Sequence, residues 1–585
     1  MPATAINYKA KLLSLPNVGQ KLYNRMLRSF ETDNPERVWR KLQNNPYAAI
    51  AVNGIGFKKA DRFALEVFEL DRDDPVRHEY GNRYCLEQAG VMHVRQFEAA
   101  RSKNDLYDDV LKFEGVTVEK GMVWLPRELK AECKLVEFLR DVVETIDDEW
   151  LDQVHQDAQT INLPGDLNRE QALAIQIAQT PWIKCMALMG AAGTGKTHTL
   201  ATLAKVADKQ NLTMAVMAFS GKASNRAKQL LAENGVPDWL VECSTIHRGI
   251  GITPVHPNGS INEIEADIVV LDEASMIPNW LMAAVIGKLK PDAKLVLVGD
   301  PAQLPPIGYG QPFQDFLDAG IPRVELTQNY RQADQQAIYE LCDAVRNNGE
   351  IPAFIDNFFA DEAVQLYARS VVADRESNNA VLNCFEDLNP LEWQVIAWKN
   401  DEVEHLNIEM QNMADTKKGE WCFDYRAYSL ARDDFGNWQT ISVHLGDKVM
   451  VTSNDYTLDI FNGETYIIAG IKNHAVTKDS DPMSCLVLEN ESGEQRYVPI
   501  EDASDLLRLG YAVTTHKAQG SGWHTVIVFQ SETVKFNSKR WWYTSLSRAA
   551  ERLYVFTDMA ASRWWANATA TEKPVKSTLL RRLAA

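Results

Sequence analysis

The stretch LMGAAGTGKTHTL, residues 188–200, constrains the fold more than any other part of the chain. Its Gly190, Gly195, Lys196 and Thr197 match G-x-x-x-x-G-K-[ST], directly after the apolar run CMALMG and directly before a helical pattern. Glycines let backbone N–H groups approach phosphates without a Cβ in the way, Lys196 supplies a point charge to the β- and γ-phosphates, and Thr197 offers a hydroxyl to Mg²⁺. The candidate cradle is Gly190, Ala191, Ala192, Gly193, Thr194, Gly195, Lys196, Thr197 and His198. A phosphate loop of this kind needs a metal-holding acid at the end of a neighbouring strand. DIVVLDEASM provides Asp272 for Mg²⁺ and Glu273 placed to orient or deprotonate an attacking water.

The surrounding pattern predicts the sheet that such a loop requires. Apolar runs without polar alternation (CMALMG, TMAVMAF, ADIVVLDEA, KLVLVGD) alternate with helical stretches after residue 165. Strands of that kind suit a parallel sheet covered by helices on both faces. A second set follows in EWQVIAW, GYAVTTH, HTVIVFQ and RLYVFTD, interrupted over about 410–505 by short strands and turns that suggest an inserted small β-barrel. The fold class expected is therefore α/β, with two parallel-sheet domains. The head of the chain differs: its first 70 residues read as short helices broken by Pro, Asn and Gly, followed by a mostly helical 71–164 with a hairpin at GVTVEKGMVWLP. That second region fits a winged-helix-like module, and the acidic run DVVETIDDEWLDQVHQD fits a solvated linker helix.

Composition narrows the function classes. The formal charge of −19 argues against whole-surface attraction to nucleic acid, but the charge is unevenly spread. Residues 1–62 hold 11 Lys+Arg against 4 Asp+Glu, a basic head on an acidic body. No run approaches the ~20 apolar residues of a membrane span. The start, MPATAINYKAKLL, has no signal-like apolar core, so the expectation is a cytoplasmic protein, in the host cytoplasm if a virus encodes it. Eight scattered cysteines with no CxxC pair read as free thiols rather than a zinc site.

Taken in order over residues 165–560, these and further motifs resemble the superfamily 1 helicases of the RecD-like subclass B type. LNREQALAI is similar to the family's Q motif, in which Gln171 would recognise adenine. AFSGKASNRAKQL and STIHRGIGI resemble its two single-strand-contacting motifs. LVGDPAQLPPIGYG resembles the motif whose glutamine, Gln303, senses the γ-phosphate and couples two motor lobes. LTQNYRQ and YTSLSRAAERLYVF would bring Arg331 and Arg548 across the cleft, and YAVTTHKAQGSGWHTVIV resembles the second lobe's DNA-contacting motif. The resemblance implies two RecA-like motor domains, at 165–335 and at 336–409 plus 506–585, with an SH3-like insertion at 410–505. It also implies a strand-splitting pin at about 252–265, where Asn258-Gly259 is a hairpin-turn signal; a plain surface loop is the alternative.

At matching positions, Ser220, Lys222, Thr245, His247, Thr515, His516 and Lys517 would meet phosphates or bases. Two residues depart from the family. Phe219 replaces a usual proline and suits either a base stack or the core; Gly522 replaces a glutamate that can bond to the ribose, which leaves nucleotide selectivity open. In KRWWYTS, core packing is expected for at least one tryptophan.

The basic head carries NGIGFKKAD, which resembles a helix–hairpin–helix motif, with LPNVGQKLYNRM as a first copy across a tandem unit at 1–70. Asn17 stands there in the place of Gly54, and asparagine tolerates a left-handed backbone better than most residues. Backbone N–H groups near Gly54 and Gly56 would meet a DNA phosphate, with Lys21, Lys58 and Lys59 adding salt-sensitive attraction. The alternative is a connector that only packs against the motor. The function expected from the resemblance is an ATP- and Mg²⁺-dependent DNA helicase moving 5′→3′ on single strands and unwinding partial duplex. The alternatives are a motor subunit of a nuclease or recombination complex, or a DNA-binding NTPase switch that does not unwind. The expected partners are single-stranded and partial duplex DNA, with no membrane, and a single-strand-binding or replication–recombination protein; a monomer is the expected state.

Overall fold

The computed structural model describes residues 7–30, 32–52, 55–87, 89–106, 112–144, 167–252, 259–261, 263–330, 336–349, 364–367, 389–413, 420–427, 439–455, 457–475, 482–530, 538–557, 561–570 and 578–584. The head folds around its own small core. Helices Tyr8–Leu13, Gln20–Ser29 and Pro35–Asn44, a 3₁₀ turn Pro46–Ala51 and helix Phe57–Arg62 enclose Leu12, Met26, Val38, Leu42, Tyr47 and Phe63. Asn17 takes φ +59 between the first two helices, the backbone that asparagine accepts at low cost. Asn53 and Gly54 lie outside the described residues, as does most of the acidic linker stretch.

Three short strands follow: β1 (Val91–His93), β2 (Thr117–Glu119) and β3 (Met122–Trp124). They form an antiparallel sheet ordered β1-β3-β2, with β2 and β3 as the hairpin expected at GVTVEKGMVWLP. Helix Pro126–Glu144 then leaves this unit and packs into the first motor lobe, where Leu135, Leu139 and Val142 join its core.

The first lobe is a six-stranded parallel sheet. Its strands are β4 (Cys185–Gly190), β5 (Met214–Ala218), β6 (Val241–Thr245), β7 (Ile268–Asp272), β8 (Lys294–Gly299) and β9 (Arg323–Leu326), in the order β6-β5-β7-β8-β4-β9. β4, β5 and most of β7 and β8 are buried along their length, because helices cover both faces and form two separate cores. Each fully buried Val, Leu or Ile contributes about 1.5–3 kcal/mol, so continuous apolar runs favour this position over a half-exposed sheet.

The second lobe gathers its strands from farther apart. β10 (Val364–Tyr367), β11 (Trp393–Ala397), β19 (Ala512–Thr514), β20 (Trp523–Gln530) and β21 (Ala549–Thr557) make a parallel sheet ordered β10-β21-β20-β11-β19. Between β11 and β19 comes antiparallel structure: a ribbon of β12 (Trp421–Arg426) and β13 (Thr440–His444), and a sheet of β14 (Lys448–Val451), β15 (Thr465–His474), β16 (Met483–Glu489), β17 (Gln495–Pro499) and β18 (Leu507–Leu509). The sheet order is β17-β16-β15-β14-β18, with no pairing between its two edges among the described residues. It reaches past residue 505, because β18 pairs with β14. The insertion shares one core with the second lobe through Val449, Tyr466, Leu507 and Tyr511.

The end of the chain holds a feature the sequence reading missed. Helix Thr578–Leu583 returns to the first lobe, burying Leu579 beside helix Pro126–Glu144, and Arg582 pairs with Glu119 and Glu132 at 2.6 and 3.0 Å. No helix among the described residues is long and apolar enough to cross a membrane.

Candidate active site

The glycine loop leaves β4 and opens helix Lys196–Lys209. Gly193 and Gly195 take φ +86 and +85, a backbone that other residues adopt only under strain. At Gly195 a Cβ would also come within 2.6 Å of the Gln171 amide nitrogen. Lys196 reaches back into the loop, where its Nζ donates to the carbonyls of Gly190 at 2.7 Å and Ala191 at 2.9 Å. Burial lowers its pKa, opposed by the nearby charges of Asp300, Glu273 and Asp272. Thr194 donates to Ala191 O at 2.9 Å, and Thr197 is half-buried in the first turn of the helix. His198 instead pairs with Asn234, Nδ1 to Oδ1 at 2.9 Å.

Gln171 is buried beside the loop and closes a capping box: its N–H donates to Asn168 Oδ1 at 2.8 Å, and its Oε1 accepts from the Asn168 N–H at 3.0 Å. The acids follow at the end of β7. Asp272 accepts from the Glu273 N–H at 2.9 Å, and burial together with the charge of Glu273 raises its pKa. Glu273 takes φ +52, a left-handed backbone that is costly for a residue with a side chain. Gln303 sits in the turn after β8, 5% exposed, and its Oε1 has no hydrogen-bond partner among the described residues.

Across the cleft, Arg548 lies just before β21 and is also buried. Each of its three guanidinium nitrogens donates once within its own lobe. Nε donates to Thr544 O at 2.9 Å, Nη1 to Ser521 O at 3.2 Å and Nη2 to Ser547 Oγ at 3.1 Å. Arg331 lies outside the described residues. At Gly522 a Cβ would meet only Arg548 O, at 3.5 Å, so packing does not demand glycine there.

The expected nucleic-acid residues fall in different surroundings. Ser220 and Thr245 cap helix starts, accepting from the N–H groups of Ala223 and Arg248 at 3.2 Å each. Lys222 lies in the seam between lobes, its Nζ 4.7 Å from the centre of the Trp523 ring, and burial pushes its pKa down to about 8. Beside it, Gly221 abuts Phe461, and Asn225 donates to Glu464 at 3.0 Å, so the insertion closes over this edge of the first lobe. His247 and Phe219 meet at 6.2 Å; Phe219 packs on the first lobe's core, which favours its core reading over the base stack.

His516 and Lys517 line an open groove with Trp398, Thr514 and Ile307, whereas Thr515 points inward. Thr515 is fully buried and bonded to Ser545 at 2.9 Å, which removes its side chain from the exposed set in this structure. In the head, Lys58 and Gly56 are exposed, while Lys59 is half-buried beside Arg25, which itself pairs with Asp505 of the insertion at 2.8 Å. The side chain of Lys21 and half of the expected pin, residues 253–258 and 262, lie outside the described residues; at the pin's root, the Ser260 N–H donates to Gly251 O at 2.9 Å. Trp541 and Trp542 are both buried in the second lobe's core.

Two aromatic residues escaped the sequence reading. Tyr330, 50% exposed, donates its N–H to Gly193 O at 3.1 Å and shares a 2.8 Å hydrogen bond with the Asn168 side chain, which places its ring at the mouth of the glycine loop. Its position beside Arg331 in LTQNYRQ was the available signal. Trp398, in the groove, carried none beyond its place at the end of an apolar strand.

The residues fit a magnesium nucleotide. A 14-residue helix presents its N-terminus to the loop, and the Thr197 hydroxyl and Asp272 carboxylate form an oxygen donor set of the kind that Mg²⁺ shares with phosphates.

Residues 166–369 match the AAA domain, residues 6–92 the ATP-dependent RecD2 DNA helicase HHH domain, and residues 509–556 the UvrD-like helicase C-terminal domain. The ATP-dependent RecD2 DNA helicase of Deinococcus radiodurans is 27% identical over 584 residues, covering 93% of this chain and 74% of the relative. The RecBCD enzyme subunit RecD of Mycolicibacterium smegmatis is 24% identical over 460 residues, covering 71% of this chain and 74% of the relative. Among solved structures, the Pif1 helicase from Candida albicans is 18% identical with a TM-score of 0.44, covering 68% of this chain and 96% of that one.

Proposed function

We infer how the site works from what the chain is: a RecD-like superfamily 1 DNA helicase that hydrolyses ATP, with an N-terminal helix–hairpin–helix region. One observation carries the reading. Lys196, Asp272, Glu273 and Gln303 follow the ends of β4, β7 and β8, and the Gln303 turn meets the second lobe just before Arg548, where the Leu304 N–H donates to Thr544 Oγ1 at 2.9 Å. The glycine loop and Lys196 hold the phosphates, Gln171 and Tyr330 border the base, and Thr197 and Asp272 would hold Mg²⁺. The ion, when bound, neutralises charge that builds on the β- and γ-phosphates. Glu273 orients a water whose oxygen attacks the γ-phosphorus and takes its proton, while the bond to the β-phosphate oxygen breaks and ADP leaves. Gln303 faces the γ-phosphate, and Arg331 and Arg548 stabilise the transferring group when the lobes close.

Each cycle of closure and opening advances a single strand across Ser220, Lys222, Thr245, His247, His516 and Lys517. The proposed direction is 5′→3′, with the segment at about 252–265 splitting the duplex and the 410–505 insertion enclosing the strand. The protein is proposed to act as a monomer. Strand displacement on partial duplexes with 5′ or 3′ tails tests this reading. Unwinding from the 5′ tail alone, lost in Lys196→Ala, is expected; unwinding from the 3′ tail alone would overturn the direction. DNA-stimulated hydrolysis with no displacement from either tail would leave a translocase or switch. A second reading, a motor subunit of a recombination assembly, draws on the relatives named as RecBCD subunits. Unwinding by the isolated chain eluting as a monomer would argue against it.

A further inference from the structure

The turn that carries Gln303 is held at both ends by the opposite lobe. At its start, the buried Asp300 carboxylate accepts from the Ala302 N–H at 3.0 Å within its own turn. Its other two contacts come from the second lobe: the Tyr543 hydroxyl donates to it at 2.5 Å, and the Arg346 guanidinium approaches to 3.5 Å. At the end of the turn, the Leu304 N–H donates to Thr544 Oγ1 at 2.9 Å, and its carbonyl accepts from Gln519 Nε2 at 3.3 Å. Gln303 lies between these anchors, its N–H donating to Asp300 O at 3.1 Å.

Tyr543 and Thr544 belong to one short helix, Lys539–Leu546, fixed in the second lobe's core by Trp541, Trp542 and Leu546. Arg548 follows two residues later and is bonded back to Thr544 O at 2.9 Å. One rigid element therefore meets both the Gln303 turn and the candidate arginine finger. A phenylalanine would fill the same buried volume at 543. The hydroxyl adds one thing only, a hydrogen bond to a carboxylate that cannot reach water, and a buried charge depends strongly on each such donor.

We propose that Tyr543 is a positioning residue for ATP hydrolysis: through the Asp300 carboxylate it sets the turn that aims Gln303, so that the placement of the second lobe is read at the γ-phosphate. This rests on the nucleotide site described above. Tyr543 touches no reacting atom; it acts through Asp300.

The test is steady-state hydrolysis with saturating single-stranded DNA, with ATP varied, for the wild type, Tyr543→Phe, Gln303→Ala and the double variant. Loss of a hydrogen bond to a buried charge predicts that Tyr543→Phe lowers kcat about 10- to 30-fold with KM for ATP within about twofold. Because both changes act on one device, adding Tyr543→Phe to Gln303→Ala should cost less than about a further twofold. A melting midpoint unchanged in Tyr543→Phe with kcat lowered supports positioning; a lowered midpoint with kcat unchanged overturns it. So does a double variant in which the two losses multiply. Failure of the underlying site would look different: Lys196→Ala would then keep its turnover.

Discussion

The two motor lobes meet at one cleft, and some of the candidate residues on either side of it stand in opposite conditions. In the first lobe the candidate groups are primed. Gln303 has an amide oxygen without a partner among the described residues, Glu273 sits in a strained left-handed backbone, and Asp272 carries a raised pKa. In the second lobe they are satisfied. Arg548 spends Nε, Nη1 and Nη2 on its own lobe, and Thr515 is closed against Ser545. On the proposed function, a primed face opposite a satisfied one would set the chemistry in the first lobe and its control in the second. On the proposed function, Arg548 would reach a phosphate by turning away from Thr544, Ser521 or Ser547, and DNA would act on that movement.

The largest expected effect lies in the first lobe. Lys196→Ala should abolish turnover, by a factor of at least about 10³, and weaken ATP binding as well. Arg548→Ala should cut kcat by about 10³ while leaving ADP affinity within about twofold, because the arginine is not part of the resting phosphate cradle. An Arg548 variant that loses ADP binding instead would break the contrast between the lobes.

The seam between the lobes gives a smaller, pH-dependent effect. Lys222, pushed down to about 8, is charged below that pH and neutral above it. Affinity for single-stranded DNA should therefore fall by about three- to tenfold from pH 7 to pH 9, in step with loss of one phosphate-attracting charge. Lys222→Arg, which stays charged, should flatten that fall; an equally steep fall in the variant would assign it to other groups.

The head is expected to respond least, and unevenly. Lys58→Glu should weaken DNA binding and reduce the salt slope by about one, sparing basal hydrolysis. Lys59→Glu should instead relieve the like-charge repulsion from Arg25, read as a melting midpoint no lower than that of the wild type. DNA affinity unchanged in Lys58→Glu would hand the hairpins to the scaffold reading.

How much of this was legible depended on how far apart the partners lie. The glycine loop, Asp272–Glu273 and the apolar strands are written in runs of fewer than about 15 residues, where spacing alone dictates strand, loop and helix. The two parallel sheets followed from such runs, the helix–hairpin–helix head from a resemblance to a known family, and the left-handed Asn17 from its residue type. What stayed hidden is set by tertiary packing. Tyr543 and Asp300 are separated by 243 positions, and nothing local announces their bond. Thr515 read as a surface hydroxyl because a helix start next to a groove looks the same from sequence whether its side chain turns out or in. The returning C-terminal helix was missed for the same reason: six residues carry too little periodicity to reveal a distant docking site.

Single-turnover hydrolysis of Mg-ATP, with and without single-stranded DNA, tests the division between the lobes most directly. With Arg548 held inside its own lobe at rest, the chemical step itself should be slow without DNA and at least about tenfold faster with it, and Arg548→Ala should remove that acceleration. A chemical step equally fast in the absence of DNA would contradict the account.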